Sequence, residues 1–528
     1  MAQISYRANL SSAIFPMTLA RAGRSVIVPG PDQNFDRRVD PQGEQKDAGI
    51  PQVIYMENVL PTSNGYQSVG LDVAQSLGPA HPTDPGFLWE TLALILPGIE
   101  HKQVFVAFGQ ATVKYALSGY AWQTATVIGT PVSTFLNFFS TATVKGVCYF
   151  HTGSRLYTVT YPAAVLTFTE ITASVLPAGF MTDVRSICGA FNYLVLLKGD
   201  STIYHSSTIS ATDFQPSLIT GAGSSGVSNA SGTLNFLKAC PSGFYIYTEG
   251  NILLASYTGN ARYPWRFVPV ESSEGVQSPY QASGDPTNAN QYCVNRSGVM
   301  QQLTKAQADQ VAPEVSEVGQ RLTRLDLFDY SLNTFSLTTS QASLGRVTYL
   351  MDRYICVSVA YDYQNNFFGP FNEIIIFDAT LNRYGKIKIL HTAIIDLQSS
   401  FSATTRNLVV FNANSGDTHV VLVDVTDAAQ AAKMTGALLL GKYQYVRSRF
   451  ICLDEISIET AGPVSVRTYA SLDGKLLGAP VTPYEIPYVT GSSREYLSSA
   501  EGKNVSILVK GAFDLCSVEL TFHLGGST

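Results

Sequence analysis

The chain has 528 residues, a formal net charge of −6 and only 14% charged residues. One hydrophobic core rarely serves a chain of this length, so several domains or a repeat architecture are expected. An acidic chain without a lysine- and arginine-rich block is a poor candidate for binding nucleic-acid phosphates, because that affinity needs clustered positive charge. Abundant tyrosine (28), phenylalanine (27) and glycine (42) are typical of an all-β protein with many turns.

Residues 1–75 form the first segment, which is rich in Pro, Gly, Gln, Asp and Arg. Such a composition buries too little apolar surface to fold alone, so the segment is either disordered or an arm. We predict an extended N-terminal arm and lead-in that orders on a partner. Within it, the DRRVD run from Asp36 to Asp40 is either an interaction patch or a solvated turn. The N-terminus lacks the features of a secretory signal, and no apolar run reaches membrane-spanning length, so membrane insertion is not expected.

Residues 76–440 carry a recurring strand–turn–strand unit with a glycine at each turn. The glycine turns follow one another at intervals of about 44 to 51 residues, except across one longer gap: Gly109, Gly153, Gly199, Gly250, Gly298, Gly369 and Gly416. A repeat of this length with about four strands predicts a β-propeller of six or seven blades. Unrelated hairpins in stacked sandwiches remain the alternative. Aromatic residues after several hairpins are expected to pack between blades: Phe168, Phe214, Trp265 and Phe267.

An insertion around residues 301–350 interrupts the repeat. It contains LTKAQADQVAPEVSEVGQRLTRLDLFDY, and its part from about Pro313 onward could form the one sizeable helix of the chain. Proline is suited to a first helical turn, because its fixed φ fits the helix and its missing N–H is not needed there.

Residues 441–528 alternate strictly between apolar and polar side chains. The apolar positions are Ile456 and Ile458, then Val464 and Val466, then Val518, Leu520, Phe522 and Leu524. This period of two predicts half-exposed antiparallel strands, and hence a small β-sandwich or a sheet docked on the propeller.

The seven cysteines are odd in number and widely spaced: Cys148, Cys188, Cys240, Cys293, Cys356, Cys452 and Cys516. None forms a C-x-x-C pair, so a structural zinc site has no support. We interpret them as free, mostly buried thiols of a chain that folds in a reducing cytoplasm.

Motifs that carry chemistry are scarce, and we predict no catalytic, cofactor-binding or metal residues. GAGSSG, with Gly221, Gly223 and Gly226, matches a dinucleotide-binding pattern, but no helix is expected after it, and an inter-blade loop is favoured. His151 and His205 lie near hairpin turns and are interpreted as ordinary strand or loop residues. The acids and the turn sequence that an enzyme might use share no pattern: Asp183, Asp200, Asp362 and SLDGK from Ser471. The sequence therefore predicts a protein that is not an enzyme and has no cofactor.

The run NVLPTSNGYQSVG from Asn58 to Gly70 and the C-terminal run Gly502 to Gly526 complete the layout of arm, repeat and sandwich. These residues and this order resemble the tail nozzle, or hub, proteins of short-tailed bacteriophages. The resemblance implies a structural virion protein that forms a homohexameric ring at the distal end of the tail and is assembled in the host cytoplasm. It also implies contact with the tail adaptor ring beneath the portal, and a channel through which the genome is retained and ejected.

Two further expectations concern the partners of such a ring. Six acidic chains would repel DNA phosphates, so DNA should pass through the channel without specific binding. Attachment of tail fibres to the ring is left open by the sequence.

Two other kinds of protein remain as alternatives. One is a β-propeller carbohydrate-active enzyme, a glycosidase or lyase, which should bring perturbed acids together in a pocket. The other is a carbohydrate-binding receptor-recognition protein, which should repeat an aromatic and polar site in each blade.

Overall fold

The fold is taken from a computed structural model, in which strands dominate. The structure describes residues 3–10, 26–27, 53–72, 88–96, 99–108, 112–116, 123–131, 139–153, 155–172, 176, 180–284, 291–295, 300–303, 315–317, 343–350, 353–360, 371–391, 393–396, 407–412, 417–422, 432–444, 451–471, 494–502 and 504–524. Strands in these ranges are numbered β1 to β41 in chain order. Two short 3-10 turns, Pro162–Ala164 and Pro279–Gln281, stand between strands.

Seven antiparallel sheets follow one another along the described part of the chain, and we number them as blades 1 to 7. Blade 1 contains β7 (Leu88–Leu96), β8 (Ile99–Phe108), β9 (Val113–Ala116) and β10 (Gln123–Thr124). Blade 2 contains β12 (Phe139–Val144), β13 (Val147–Thr152), β14 (Arg155–Thr160) and β15 (Thr167–Glu170), with β11 (Thr126–Ile128) added in parallel outside β15. Blade 3 contains β16 (Val184–Ala190), β17 (Tyr193–Lys198), β18 (Thr202–His205) and β19 (Gly223–Gly226).

Blades 4 to 6 have the same order of strands, whereas blade 7 includes a strand from the N-terminal segment. Blade 4 contains β20 (Leu234–Cys240), β21 (Gly243–Thr248), β22 (Ile252–Tyr257) and β23 (Trp265–Pro269). Blade 5 contains β24 (Ala282–Gly284), β25 (Gln291–Val294), β26 (Met300–Leu303) and β27 (Val315–Glu317). Blade 6 contains β28 (Ser343–Leu350), β29 (Tyr354–Ala360), β30 (Phe371–Asp378) and β31 (Arg383–His391). Blade 7 contains β32 (Ala393–Asp396), β33 (Asn407–Asn412), β34 (Asp417–Leu422), β6 (Gly70–Asp72) and β35 (Ala432–Lys433).

Each blade packs between its two neighbours, because alternate residues of a strand point to opposite faces. In β17, Leu194 and Leu196 face a core shared with blade 2, whereas Tyr193, Val195 and Leu197 face a core shared with blade 4. Equivalent cores join the other successive blades. The first strand of blade 7 also lies beside the first strand of blade 1. The sheets therefore close into a seven-bladed β-propeller, and the prediction from the repeat is confirmed.

The glycine turns predicted from the sequence join the second and third strands of the seven blades. Gly153, Gly199 and Gly250 lie in these turns. The other four glycines lie outside the described residues, but the strands on either side of each pair as antiparallel hairpins. Phe168, Phe214 and Trp265 are buried in the cores between blades, and Phe267 packs against one of them, as expected.

The first strands of neighbouring blades are joined by serine hydroxyls. The Ser140 hydroxyl accepts a hydrogen bond from the Ile187 N–H at 2.8 Å, and Ser186 does the same for Leu237 at 3.1 Å. Ser283 accepts from the Tyr349 N–H at 2.9 Å. The hydroxyl of one blade thus satisfies a backbone donor of the next, which ties the inner wall of the ring together.

The C-terminal segment forms a sandwich of two sheets, as its alternation predicts. One sheet contains β2 (Val26–Ile27), β3 (Val53–Glu57), β36 (Gly436–Gln444), β38 (Val464–Ser471) and β40 (Asn504–Gly511). The other contains β1 (Gln3–Asn9), β37 (Ile451–Ala461), β39 (Arg494–Gly502) and β41 (Asp514–Leu524). Their shared core includes Ile456, Val466, Val518, Leu520 and Phe522.

The N-terminal segment differs from the predicted arm. Strand β1 pairs with β41, and β3 pairs with β36, so these parts of residues 1–75 order on the sandwich of their own chain. Ala8 and Leu10 are fully buried in the sandwich core. The segment is too polar to fold alone, but its few apolar residues complete a core that the C-terminal strands leave open.

The expectation of a helix from about Pro313 is wrong where the structure describes this segment. Val315–Glu317 is β27, which pairs with β26 as the fourth strand of blade 5. Proline's preference for a first helical turn is local, whereas the open edge of blade 5 offers hydrogen bonds to an extended segment. Residues 318–342 lie outside the described part.

All seven cysteines are free. Five of them are buried among the blade strands, and Cys452 and Cys516 of the sandwich are half-buried. Burial raises the pKa of Cys148 and of Cys293 to about 12, so these thiols stay protonated at neutral pH. The prediction of free thiols is confirmed.

Candidate functional site

The connection between β18 and β19 in blade 3, residues 206–222, is long and tightly folded. Phe214 is buried in the core between blades 2 and 3, where its ring centroid lies 4.9 Å from that of Phe180. The Ser217 N–H donates to the Ala222 carbonyl at 2.9 Å, and the Gly221 N–H donates to the Ser217 carbonyl at 3.0 Å. The core anchor and these bonds hold the loop in one conformation.

This ordered loop exposes three aliphatic side chains. Ile209 is 74% exposed, Leu218 is 69% exposed and Ile219 is 91% exposed. The Ser217 hydroxyl accepts from the Ile219 N–H at 3.3 Å and from the Thr220 N–H at 3.2 Å, so the backbone under the two outermost residues is hydrogen-bonded. A rigid backbone with exposed apolar side chains loses little conformational entropy when a partner covers it.

Further exposed hydrophobic residues lie at the same end of neighbouring blades. In an antiparallel four-stranded sheet, the first–second and third–fourth connections share one end. We call this end of the ring the lower face. It carries Val165 of blade 2, Phe191 of blade 3 and Tyr263 of blade 4, in addition to the blade 3 loop. Of the eight exposed large hydrophobic residues within the described ranges, these six lie on the lower face of blades 2 to 4.

Contacts between blades bring these connections together. The Lys145 ammonium, in the first turn of blade 2, donates to the Ile209 carbonyl at 3.0 Å. The Phe191 ring stacks on Tyr257, the last residue of the third strand of blade 4, with centroids 4.5 Å apart. The Arg262 guanidinium lies 5.4 Å from the ring centroid of Tyr263. The lower face of blades 2 to 4 is therefore an apolar surface edged by two basic groups, which we call the apolar face.

An apolar face of this kind is suited to binding another protein rather than to catalysis. Several exposed apolar side chains at one end of a folded domain are typical of interaction sites. The aromatic, isoleucine and arginine side chains of this face resemble the composition of interface cores. Within the described residues, no group of three or more His, Cys, Asp or Glu side chains could hold a metal ion.

The histidines considered in the sequence are buried within blades. A ring nitrogen of His151 lies 2.8 Å from the Gly153 carbonyl, and one of His205 lies 2.6 Å from the Gly221 carbonyl. Burial lowers the pKa of His151 to about 4 and also lowers the pKa of His205. Both rings are neutral at pH 7 and bond to hairpin or loop carbonyls, which agrees with their interpretation as strand residues.

The glycine motif differs in part from its prediction as a loop. Gly223–Gly226 is strand β19, the outer strand of blade 3, and no helix follows it. Gly221 has a φ of 73°, and a Cβ there would meet the Tyr193 hydroxyl at 2.4 Å. Gly221 therefore allows a tight turn, and Gly223 and Gly226 lie in an edge strand.

The candidate acids do not assemble into a site within the described residues. Asp183 and Asp200 both lie at the Gly199 turn: the Asp183 carbonyl accepts from the Gly199 N–H at 2.9 Å, and the Asp200 carboxylate accepts from the Thr202 N–H at 3.0 Å. Ser471 ends β38. Asp362, the rest of SLDGK and the DRRVD run lie outside the described residues.

Sequence reasoning missed the apolar face. Leu218 and Ile219 stand in QPSLIT, where a proline and polar residues surround an isolated aliphatic pair in a segment without strand alternation. This pattern was the available signal, because apolar residues in a turn-rich connection have no strand face to bury. Phe191 and Tyr263 carried no such signal, since aromatic residues are frequent throughout the chain.

No protein-family model matches the sequence, and no curated protein matches it. Solved structures are similar in fold. The Saccharomyces cerevisiae protein Sqt1 is 12% identical, with a TM-score of 0.37, over 60% of this chain and 80% of its own. YCF48 bound to a D1 peptide is 12% identical, with a TM-score of 0.36, over 65% and 97%. The WD40 β-propeller domain of Doa1 is 10% identical, with a TM-score of 0.34, over 61% and 90%.

Proposed function

We propose that this chain is a structural subunit of a protein ring, the distal tail nozzle of a short-tailed bacteriophage, through which the genome is retained and ejected. The observation that carries the proposal is the apolar face, with Ile209, Leu218 and Ile219 held out by an ordered loop. Such a surface is costly to leave in water and is stabilised when another protein covers it. The resemblance of Asn58 to Gly70 and of the C-terminal run to tail nozzle proteins supports the same function.

The position of the apolar face also supports a head-to-tail ring. Blades 2 to 4 lie across the seven-bladed ring from blades 6 and 7, and the sandwich strands continue the sheet of blade 6. A closed ring of identical subunits needs two different surfaces on each subunit, because each subunit contacts its neighbours heterologously. We propose that the apolar face of one subunit packs on the sandwich side of the next, in a hexamer that contacts the adaptor ring above it.

The test is the mass and shape of the purified chain. We expect light scattering to give about six times the mass of one chain at high concentration, and electron microscopy to reveal rings with a central channel. The combined variant Ile209→Gln, Leu218→Gln, Ile219→Gln should be a folded monomer, since all three side chains are exposed and the substitutions remove only apolar contact area. Ile128→Gln is the matched control, because Ile128 is 53% exposed on β11 of blade 2 and lies outside the lower face and the sandwich side.

A monomeric wild-type chain across the concentration range would contradict the proposal. So would loss of the ring in Ile128→Gln together with its retention in the triple variant. A monomer that binds or cleaves oligosaccharides would instead support the carbohydrate-active or receptor-recognition alternatives.

A further inference from the structure

The lead-in from Asn58 to Asp72 attaches to three different bodies within fifteen residues. Strand β4 (Val59–Pro61) pairs with β31, the outer strand of blade 6. Strand β5 (Tyr66–Ser68) pairs with β4 and with β41 of the sandwich. Strand β6 then inserts between β34 and β35 of blade 7. One short segment therefore holds two blades and the sandwich together.

The chain segment that connects the sandwich to blade 7 is very short. The Ser68 hydroxyl donates to the Gly511 carbonyl at 3.0 Å and accepts from the Phe513 N–H at 2.9 Å, which fixes Ser68 to the sandwich. Gly70, two residues later, pairs with Leu422 and Lys433 of blade 7. Only Val69 lies between Ser68 and Gly70, so the Cα atoms of Ser68 and Gly70 can be at most about 7 Å apart. A larger separation would break either the bonds of Ser68 to the sandwich or the pairing of Gly70 in blade 7.

Val69 itself is fixed on both sides. Its N–H donates to the Asn58 carbonyl at 3.0 Å, and its carbonyl accepts from the Met434 N–H at 2.8 Å. Val69 is fully buried in the core that blade 6 and blade 7 share. The connection between sandwich and blade 7 is therefore part of a core and cannot lengthen by unfolding locally without exposing apolar surface.

A second crossing runs beside the first. Lys433 pairs in blade 7, and Gly436 pairs with Gly511 in the sandwich, so this connection is also only a few residues long. Asn58 joins the two crossings: its side-chain amide donates to the Thr435 carbonyl at 3.2 Å, and its side-chain carbonyl accepts from the Lys388 N–H at 2.9 Å. A Cβ on Gly436 would meet the Ser68 hydroxyl at 2.7 Å, so the two crossings are in close contact.

Arg383 fastens the loop between β4 and β5 to blade 6. Its guanidinium donates to the Thr62 carbonyl at 2.8 Å and to the Gly65 carbonyl at 2.5 Å, and it lies 4.5 Å from the ring centroid of Tyr66. A Cβ on Gly65 would meet the Leu515 carbonyl oxygen at 2.0 Å, so the same loop also packs against the sandwich backbone.

We infer that residues 58–72 act as a strap that makes closure of the propeller conditional on the docked sandwich. When the sandwich moves away from the propeller, Ser68 moves with it and displaces β6. The hydrogen bonds between β6 and β34 then break. Blade 7 then loses β6 and its bonds to β35, two of its five strands, and the ring opens where β32 lies beside β7. A load on the sandwich is thus transmitted to the ring. This inference rests on the junction alone and stands independently of the proposed function.

The test compares hydrogen exchange in three parts of the full-length chain: the sandwich, blade 7 with β6 and β7, and blade 3. Val518→Ala loosens the sandwich, because Val518 is fully buried in its core. Losing buried methyl groups raises the equilibrium constant for opening by roughly tenfold. We therefore expect hydrogen exchange in both the sandwich and blade 7 to become roughly tenfold faster. Blade 3, across the ring, should keep its wild-type rates.

A second variant adds slack to the strap. Inserting Gly-Ser-Gly-Ser between Val69 and Gly70, and again between Thr435 and Gly436 of the second crossing, should uncouple the parts. Val518→Ala should then raise exchange in the sandwich and leave blade 7 at the rate that the insertions alone give. The matched control is the same insertion after Gly259 of blade 4, in an exposed turn where a Cβ would meet nothing within 4 Å. In the chain with the insertion after Gly259, Val518→Ala should still raise exchange in both the sandwich and blade 7.

Two results would overturn the inference. One is a Val518→Ala chain, without insertion, in which blade 7 keeps wild-type exchange while the sandwich exchanges faster. The other is coupling of the same size with and without the insertions in the two crossings. If Val518→Ala unfolds the sandwich fully, the strap still requires blade 7 to exchange faster, so that outcome also decides the question.

Discussion

His391, at the end of the outer strand of blade 6, is a buried neutral histidine. Its Nδ1 lies 2.9 Å from the Ile389 carbonyl and donates to it, and its Nε2 lies 2.8 Å from the Ser358 hydroxyl and accepts from it. Burial, with a smaller contribution from the positive charge of Arg346, lowers the pKa of His391 to about 4. The fold therefore requires the neutral imidazole, since a charged ring there would be desolvated and would face another cation.

This histidine predicts acid sensitivity with a defined window. The unfolded chain takes up a proton near pH 6.5, whereas the folded chain does so only near pH 4, so stability falls as the pH drops between these values. We expect about 3 kcal/mol to be lost at this site by pH 4. His391→Gln should remove the contribution of this site and so reduce the dependence of the free energy of unfolding on pH across the window, at a cost of about 1 kcal/mol at pH 7. His151, whose pKa is also lowered to about 4, keeps its own contribution in the variant. Urea unfolding at pH 7, 6, 5 and 4 measures both effects, and parallel curves for wild type and variant would contradict the prediction.

At the scale of elements, the first strands of the blades pack almost backbone to backbone. Gly189 of β16 faces the first strand of blade 2, where an added Cβ would meet the Thr143 carbonyl oxygen at 2.3 Å. The Ser140 hydroxyl bridges the same two strands, and the Ser186 hydroxyl bridges the first strands of blades 3 and 4 in the same way. The short distance between the first strands of blades 2 and 3 therefore depends on Gly189, which has no side chain.

We expect Gly189→Ala to destabilise the protein by about 1–3 kcal/mol, because the strands must separate to admit the methyl group. Gly226→Ala is the control, since a Cβ on this edge strand would meet nothing within 4 Å. Urea unfolding midpoints of the two variants give the comparison. Equal midpoints would mean that the inner strands can move apart without cost.

At the scale of the whole molecule, both ends of the chain build the sandwich. Strand β1 pairs with β41 along its full length, from Gln3 with His523 to Asn9 with Ser517. Ala8 and Leu10 are buried in the sandwich core. The sandwich therefore lacks an edge strand and part of its core until the N-terminal segment is in place.

Deleting residues 2–10 should lower the stability of the sandwich by several kcal/mol, since a fully buried leucine alone contributes about 1.5–3 kcal/mol. Hydrogen exchange of β37 and β41 measures the loss. Arg7→Ala is the control. It breaks the exposed ion pair between Arg7 and Glu459, whose contribution is about 0–1 kcal/mol, and the hydrogen bond that Arg7 donates to the Ser517 hydroxyl at 3.2 Å, and it leaves the strand and the core in place. Unchanged exchange in the truncated chain, with a change in oligomeric mass alone, would favour the arm that orders on neighbouring subunits.

The sequence by itself determined the repeat and the strands that build it, whereas the helix expected from about Pro313 is the strand β27 where the structure describes it. Glycine turns mark the second hairpins of the blades at intervals of 44 to 51 residues, except for the longer gap between Gly298 and Gly369. Period-two alternation at Ile456–Ile458 and Val518–Phe522 marks the sandwich strands. Both signals are local, because a turn needs particular backbone angles and a half-buried strand needs alternating side chains. Free, buried cysteines followed from the same strand patterns.

Only the tertiary structure decided which strands complete which sheet. Residues 315–317 extend blade 5, β6 enters blade 7, and β1 joins the sandwich, although each is short or polar and has no pattern of its own. The apolar face likewise arises from connections on three blades that meet at one end of the ring. These features depend on open sheet edges and on contacts between residues far apart in sequence, whose hydrogen bonds and buried area exist only once the ring has formed.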